Sequence, residues 1–289
     1  MKKTSSFTLR ILGFAIPLAL GFAAGVVVMY HFDRCCSLER TEPYINPVHR
    51  SIRHFVSALE KGDARELAQH VRLPFEREYP IPPIRTMDEF VAAIPSLLGS
   101  EAVAKMSRAS EFHDWEELGG YYTLGDVGIW LSGSEPVTIK SIVDTTEAER
   151  ALWQEYARLE ISNLHPSLQD GVARPIASFI TEDGTVRGRI DLMGDELSMT
   201  ASDYEGCNYR LAVYNAGSDL KAAPDVVVMC KYRVEGSICN QIFESEDGQY
   251  RVMLNEGGPC DFAEVDFYRP GIPEDDDVQS RAKLCEWRG

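Results

Sequence analysis

Two patterns of hydrophobic and polar residues divide most of the chain. Residues 46–163 combine helical spacing with short strands, starting with apolar side chains three or four positions apart over residues 47–61, which predicts an amphipathic helix. Residues 164–270 consist of short alternating runs separated by turn sequences such as Glu182-Asp183-Gly184, which predicts an all-β unit. Residues 271–289 look like an acidic tail. We therefore expect two folded units.

Capping residues mark the helix starts in the first unit. Asp63, Thr86 and Thr146 each precede a helical run and have a glutamate three residues later, the spacing of a capping box. Gly62 is a natural end for the first helix. Strands are then predicted at residues 119–124, 126–131 and 136–143. Helices followed by antiparallel strands indicate an α+β class rather than alternating β-α-β units.

Residues 11–30 carry no charge. Twenty apolar residues form a helix of roughly 30 Å, enough to cross the hydrocarbon core of a bilayer. Basic residues precede this segment within residues 1–10, so we expect a transmembrane signal anchor with a cytoplasmic N-terminus, a linker at residues 31–45 and the bulk of the chain outside. The alternative is a signal peptide cleaved after Gly21-Phe22-Ala23, which would release the protein.

The net charge of −16 argues against nucleic acid as a partner, because phosphate binding needs clustered Lys and Arg. The charge also argues against adhesion to an anionic membrane surface. It is compatible with a basic protein partner, although most acidic surfaces are simply solvated.

Five of the seven cysteines lie in the last third of the chain, which agrees with export to an oxidising compartment. These disulfide candidates are Cys207, Cys230, Cys239, Cys260 and Cys285. There is no Cys-x-x-Cys pair to indicate zinc or a thioredoxin-like site. The alternative is a set of buried thiols that pack as small hydrophobic side chains.

No catalytic motif is evident. The chain has no nucleophile-elbow motif, phosphate-binding loop or dinucleotide fingerprint, and His49 and His54 are five residues apart rather than on one helical face. We therefore predict no catalytic residue, no metal and no cofactor. Candidates to line a ligand pocket are Trp130, Tyr122, Tyr121, His113 and Asp126. For the aromatic residues the alternative is simple packing in the core.

Four segments carry a family resemblance. They are HFVSALEKGDARELAQHVRLPF, TMDEFVAAIPSLL, GYYTLGDVGIWL and VTIKSIV, within residues 46–145. Together they resemble a nuclear transport factor 2-like (SnoaL-like) domain from a group of exported bacterial proteins. The resemblance implies helices on a strongly curved antiparallel sheet with a cone-shaped cavity, where His113 or Asp126 would be placed to act as a base. It also implies an all-β accessory domain. The strand pattern fits either a β-sandwich or a small barrel, and we predict a β-sandwich-like domain.

These features predict a non-enzymatic binding or scaffold protein of the bacterial envelope. It would be held in the inner membrane by its N-terminal helix, face the periplasm and bind another envelope protein. One alternative is an enzyme of the SnoaL-like type that acts on a small hydrophobic ligand in the cone. Another is an inhibitor or immunity protein for a hydrolase, which the acidic charge permits.

Overall fold

The computed structural model describes residues 46–109, 114–124, 127–143, 145–199, 208–215, 219–235, 240–256, 262–271 and 281–284. The helices are α1 (Pro47–Lys61), α2 (Ala64–Leu67), α3 (Met87–Leu97), α4 (Gly99–Arg108) and α5 (Glu147–Ser162), followed by a 3-10 turn at Pro166–Leu168. The first four strands are β1 (Glu116–Leu118), β2 (Tyr121–Leu124), β3 (Ile129–Ser132) and β4 (Ile139–Ile142). The remaining strands are β5 (Val172–Thr181), β6 (Val186–Met193), β7 (Tyr209–Asn215), β8 (Val226–Glu235), β9 (Asn240–Ser245), β10 (Arg251–Glu256), β11 (Phe262–Tyr268) and β12 (Arg281–Leu284).

The predicted helix starts are confirmed. The Thr86 hydroxyl accepts a hydrogen bond from the Glu89 amide, and the Glu89 carboxylate accepts one from the Thr86 amide, which completes a capping box. Asp63 and Thr146 cap α2 and α5 in the same way from their side-chain oxygens. In contrast, α4 follows α3 directly and has no side-chain cap, so no local signal marks its start.

Helices α1 to α4 and strands β2 to β4 share one hydrophobic core, whereas the residues of β1 are exposed. The strands form an antiparallel meander in the order β1-β2-β3-β4. On the face of the sheet toward this core, Tyr122 pairs with Leu131 and Leu124 pairs with Ile129. Phe55 of α1 and Phe90 of α3 are fully buried in the same core.

Strands β5 to β12 form a closed eight-stranded barrel in which each strand pairs with the next in sequence. The barrel closes where Ala282 of β12 pairs with Thr181 of β5. Aromatic side chains fill the interior: the rings of Phe179 and Phe267 lie 5.2 Å apart. The ring of Phe179 also lies over Gly188, where an added Cβ would be 2.0 Å from its Cζ atom.

The predicted fold class is wrong. The all-β part is a closed barrel rather than a sandwich, because β12 closes the sheet against β5 from within the segment predicted to be an acidic tail. In the first part, the strands of the small sheet are only three or four residues long. They are too short for the strongly curved sheet and cone that the family resemblance implies.

Within the part of the chain that the structure describes, no helix is both long and apolar enough to cross a membrane. Residues 11–30, where the transmembrane anchor is predicted, lie outside the described residues.

Candidate functional site

A pocket of about 200 Å³ lies beside α1, against the end of α4 and Trp115. Its lining residues are His49, Ile52, Arg53, Val56, Ser57, Glu60, Met106, Ser107, Ala109 and Trp115. The six residues from α1 are spaced three or four positions apart, so they form one stripe along the helix. Ile52 and Val56 of this stripe also belong to the hydrophobic core, so the pocket lies at the edge of the buried face of α1.

The pocket has an apolar floor and a polar mouth. Ile52, Val56, Met106 and Trp115 are all buried and belong to the core of the first unit, which fixes their positions. The hydroxyl-bearing side chains of Ser57 and Ser107 are half-buried on opposite walls. Such a combination of apolar walls with a few polar groups is typical of small-molecule sites.

The imidazole of His49 is buried at one end of the pocket. Its ring packs edge-on against Tyr122, with 5.3 Å between ring centroids, and the Tyr122 hydroxyl donates a hydrogen bond of 3.1 Å to Glu117. Burial, together with the positive charge of Arg53, lowers the pKa of His49 below its ordinary value, while Glu117 acts in the opposite direction. The imidazole is therefore neutral at pH 7.

Arg53 and Glu60 are exposed at the pocket mouth. They are separated by seven residues, or roughly 10 Å along the helix axis. Neither side chain has an ion-pair or hydrogen-bond partner among the residues that the structure describes. The two charges therefore face solvent at opposite ends of the pocket.

A second group of charges is buried where α5 packs on the outer face of β6 and β7. We call this group the junction, and its members are Tyr79, Glu160, Arg189, Asp191 and Arg210. The Arg189 guanidinium contacts Glu160 and lies 2.6 Å from an Asp191 carboxylate oxygen, with both Arg189 and Asp191 at 0% exposure. Arg210 donates 2.9 Å to Asp191 and 2.7 Å to the Leu168 carbonyl, and the Tyr79 hydroxyl donates to Glu160.

Burial raises the pKa of two groups of the junction, Tyr79 and Glu160. It raises the pKa of the Tyr79 phenol well above its ordinary value, and the neighbouring Glu160 carboxylate raises it further. Burial likewise raises the pKa of Glu160, against the opposing effect of Arg189. Clusters with shifted pKa values can mark active sites, but structural ion pairs produce them too. The charged side chains of the junction are buried and contact one another, so they offer a substrate little access and connect α5 to the barrel.

Of the predicted pocket residues that the structure describes, Tyr121, Tyr122 and Trp130, none lines the pocket, although Tyr122 packs against its lining residue His49. Tyr121 and Trp130 lie on the opposite face of the sheet from Tyr122, as the alternation along β2 and β3 requires. His113 and Asp126 lie outside the described residues. Their proposed roles stay predictions.

The structure describes one of the five disulfide candidates. Cys230 is fully buried on the inner face of β8, in the core of the barrel. Cys207, Cys239, Cys260 and Cys285 lie outside the described residues. Their pairing stays a prediction.

Sequence reasoning missed the pocket, but a signal for it existed. The stripe from His49 to Glu60 runs beside the apolar face of α1, and it contains one basic and one acidic residue two turns apart. The opposite wall comes from the end of α4, the helix that had no start signal. No three His, Cys, Asp or Glu side chains of the described ranges are grouped to hold a metal ion.

Comparison with protein-family models, with curated proteins and with solved structures finds no match for this chain.

Proposed function

We propose that this chain is a non-enzymatic binding protein whose ligand enters the pocket beside α1, with the barrel as its rigid support. The observation that carries the proposal is the exposed positive charge of Arg53 at the mouth of an apolar pocket. Arg53 has no ion-pair or hydrogen-bond partner among the residues that the structure describes. At the junction, in contrast, every arginine contacts a carboxylate. A ligand would supply the partner that the described residues do not provide to Arg53.

An enzyme acting on a small hydrophobic ligand is the second candidate, and His49 is the observation that favours it. A neutral imidazole inside a pocket can act as a general base. Acid-base catalysis also requires an acid near the reacting atom, and Glu60 lies at the far end of the pocket. The pocket therefore supports binding better than it supports turnover.

The sequence of residues 11–30 supports a location in the bacterial envelope, anchored in the inner membrane with the bulk of the chain in the periplasm. Processing at Ala23 would instead give a soluble periplasmic or secreted protein. Intact mass of the protein from membrane and soluble fractions, with and without thiol alkylation, separates these two outcomes. A full-length mass in membranes with blocked C-terminal thiols is expected, and fully alkylatable thiols would contradict the disulfide prediction.

The pocket proposal is tested with the one-ring fluorescent anion 4-(dimethylamino)cinnamate, whose emission increases in apolar surroundings. We expect one probe per protein. Ser107→Trp, which fills the pocket from α4, should weaken binding by about tenfold or more, equal to roughly 1.4 kcal/mol. Ser100→Trp is the matched control, because Ser100 is exposed on the same helix and does not line the pocket.

Equal binding to the two tryptophan variants would overturn the proposal, provided that both unfold at the wild-type temperature. Ser57→Trp fills the pocket from the opposite wall and should reproduce the loss of binding.

A further inference from the structure

The pocket lies beside the first half of α1, which is a locally basic stretch of a strongly acidic protein. The chain has a net charge of −16, but α1 has no acidic residue in its first turn and carries Arg50 and Arg53 along with two histidines. Both arginines are exposed and have no ion-pair partner among the described residues. A protein with this overall charge repels anions at long range, so an anion would be favoured only beside such a local cluster.

The two polar groups at this end of the pocket have different tasks. His49 is held against Tyr122, and its lowered pKa leaves it neutral at pH 7, so it adds no charge at this end of the pocket. Arg53 supplies the positive charge, and its planar guanidinium can bind a carboxylate through two parallel hydrogen bonds. Together they form a site for one anionic head group.

The apolar floor sets the size of the rest of the ligand. An enclosed apolar cavity of about 150 Å³ binds benzene. A pocket of about 200 Å³ floored by Trp115, Met106, Ile52 and Val56 therefore holds one aromatic ring with a short chain, or a branched aliphatic group of that size. Trp115 provides a flat surface on which such a ring can stack.

Glu60 determines which charge the far end of the ligand can have. Its carboxylate lies two helical turns from Arg53 and has no described partner that would neutralise it. A second negative charge on the ligand would lie near Glu60 and be repelled. A neutral or positively charged group there would be accepted.

On these grounds we propose that the pocket binds a small monocarboxylic acid with an aromatic or branched apolar body, its carboxylate on Arg53 and its distal end toward Glu60. This proposal rests on the proposed function, since it names the ligand class for the same pocket. It assigns Arg53 to recognition of the head group and Glu60 to rejection of dicarboxylates.

The test compares ligands that share one body and differ only in the head group, namely 3-phenylpropanoate, 3-phenylpropan-1-ol and 3-phenylpropylamine. Each displaces 4-(dimethylamino)cinnamate from the full chain. We expect the acid to bind about two- to fivefold more tightly than the alcohol, the effect of one partly exposed charged pair. Arg53→Gln should remove this preference and leave affinity for the alcohol unchanged, and Arg53→Lys should retain part of it.

A second comparison tests Glu60. The dianion 3-(4-carboxyphenyl)propanoate should bind more weakly than 3-phenylpropanoate, and Glu60→Gln should remove most of that difference. Glu66→Gln serves as the control, because Glu66 is an exposed glutamate of the neighbouring helix and does not line the pocket.

The outcomes separate this inference from the proposed function. If the alcohol binds as tightly as the acid, or Arg53→Gln changes both equally, the assignment of the head group is overturned while the pocket remains a binding site. If the probe itself binds equally to Ser107→Trp and Ser100→Trp proteins, the proposed function fails and this inference fails with it.

Discussion

The junction and the pocket both place arginine and glutamate beside apolar side chains. The charges are buried and paired at the junction, whereas they are exposed at the pocket. At the junction, Arg189 is fully buried between Glu160 and Asp191. At the pocket, Arg53 and Glu60 lie two turns apart and face solvent. A buried charge must be paired, so the junction is explained by folding. Arg53 has no ion-pair partner among the described residues, and we propose that this difference makes the pocket available to a ligand.

The largest expected effect comes from breaking the junction. Arg189→Met leaves Glu160 and Asp191 buried without their shared cation, and we expect a loss of about 3–5 kcal/mol of unfolding free energy. Urea denaturation followed by circular dichroism measures it. Arg233→Met is the control, because the Arg233–Glu244 pair on the barrel surface is 42% and 35% exposed. Its removal should change stability by about 0–1 kcal/mol.

Similar losses of unfolding free energy in Arg189→Met and Arg233→Met would show that the buried ion pairs of the junction stabilise the fold no more than the exposed pair does. If Arg189→Met fails to fold, Glu160→Gln provides a milder test. It removes one charge while an amide oxygen can still accept the hydrogen bond from the Tyr79 hydroxyl.

The next prediction compares the filled barrel interior with the open pocket. Gly188→Ala would place a methyl group 2.0 Å from the Phe179 ring, so we expect a loss of stability. Overpacking of this kind costs about 1–3 kcal/mol. Ser107→Trp adds far more volume but enters an open pocket, and its unfolding temperature should stay close to that of the wild type. The double variant Gly188→Ala/Phe179→Leu should recover part of the loss. No recovery would contradict the steric explanation.

The pH dependence of the unfolding free energy should reveal the burial of His70 in the first unit. The His70 Nδ1 donates 2.7 Å to the Val137 carbonyl, and burial lowers the pKa of His70 below its ordinary value. Because the folded state binds this proton less readily than the unfolded state, the stabilisation is present above the unfolded pKa of about 6.5 and is lost as pH falls through the folded pKa.

Unfolding free energies measured in urea at pH 7.5 and pH 5 should therefore fall with acidification, and fall less in His70→Asn. Glu160, whose raised pKa acts in the opposite direction, is present in both proteins and cancels from the difference. An equal fall in the two proteins would contradict the assignment to His70.

The smallest effect on stability is expected at the pocket mouth. Arg53→Gln removes an exposed side chain without a described partner, so the unfolding free energy should stay within about 0.5 kcal/mol of the wild-type value. Thermal unfolding measures this. A loss comparable to that of Arg189→Met would show that Arg53 has a structural role, and the contrast between the two regions would disappear.

Local structure could be predicted from the sequence, because its signals lie within a few residues of one another. The helix over residues 47–61 and the caps at Asp63, Thr86 and Thr146 follow from side-chain spacing alone. Barrel closure could not be predicted in this way. It depends on β12, a four-residue strand that follows a run of acidic residues and pairs with β5 about one hundred positions earlier in the chain.

The junction and the pocket could not be predicted from the sequence either, because both depend on contacts between elements. Glu160 lies on a helix with a polar sequence, and Arg189 and Asp191 occupy alternate positions of β6, a pattern that normally indicates a solvent-facing side. Only the packing of α5 on β6 shows that these charges are buried. The pocket similarly requires α4 beside α1, and that contact has no signature in either helix alone.

The most direct test of the central claim uses the indole N–H resonances of the four tryptophans, assigned by single substitutions to phenylalanine. Trp115 lines the pocket, whereas the Trp153 indole donates 2.7 Å to the Tyr79 carbonyl beside the junction. When 3-phenylpropanoate is titrated into the full chain, we predict that the Trp115 resonance shifts saturably and the Trp153 resonance stays fixed. A shift of Trp153 with no change at Trp115 would contradict the account.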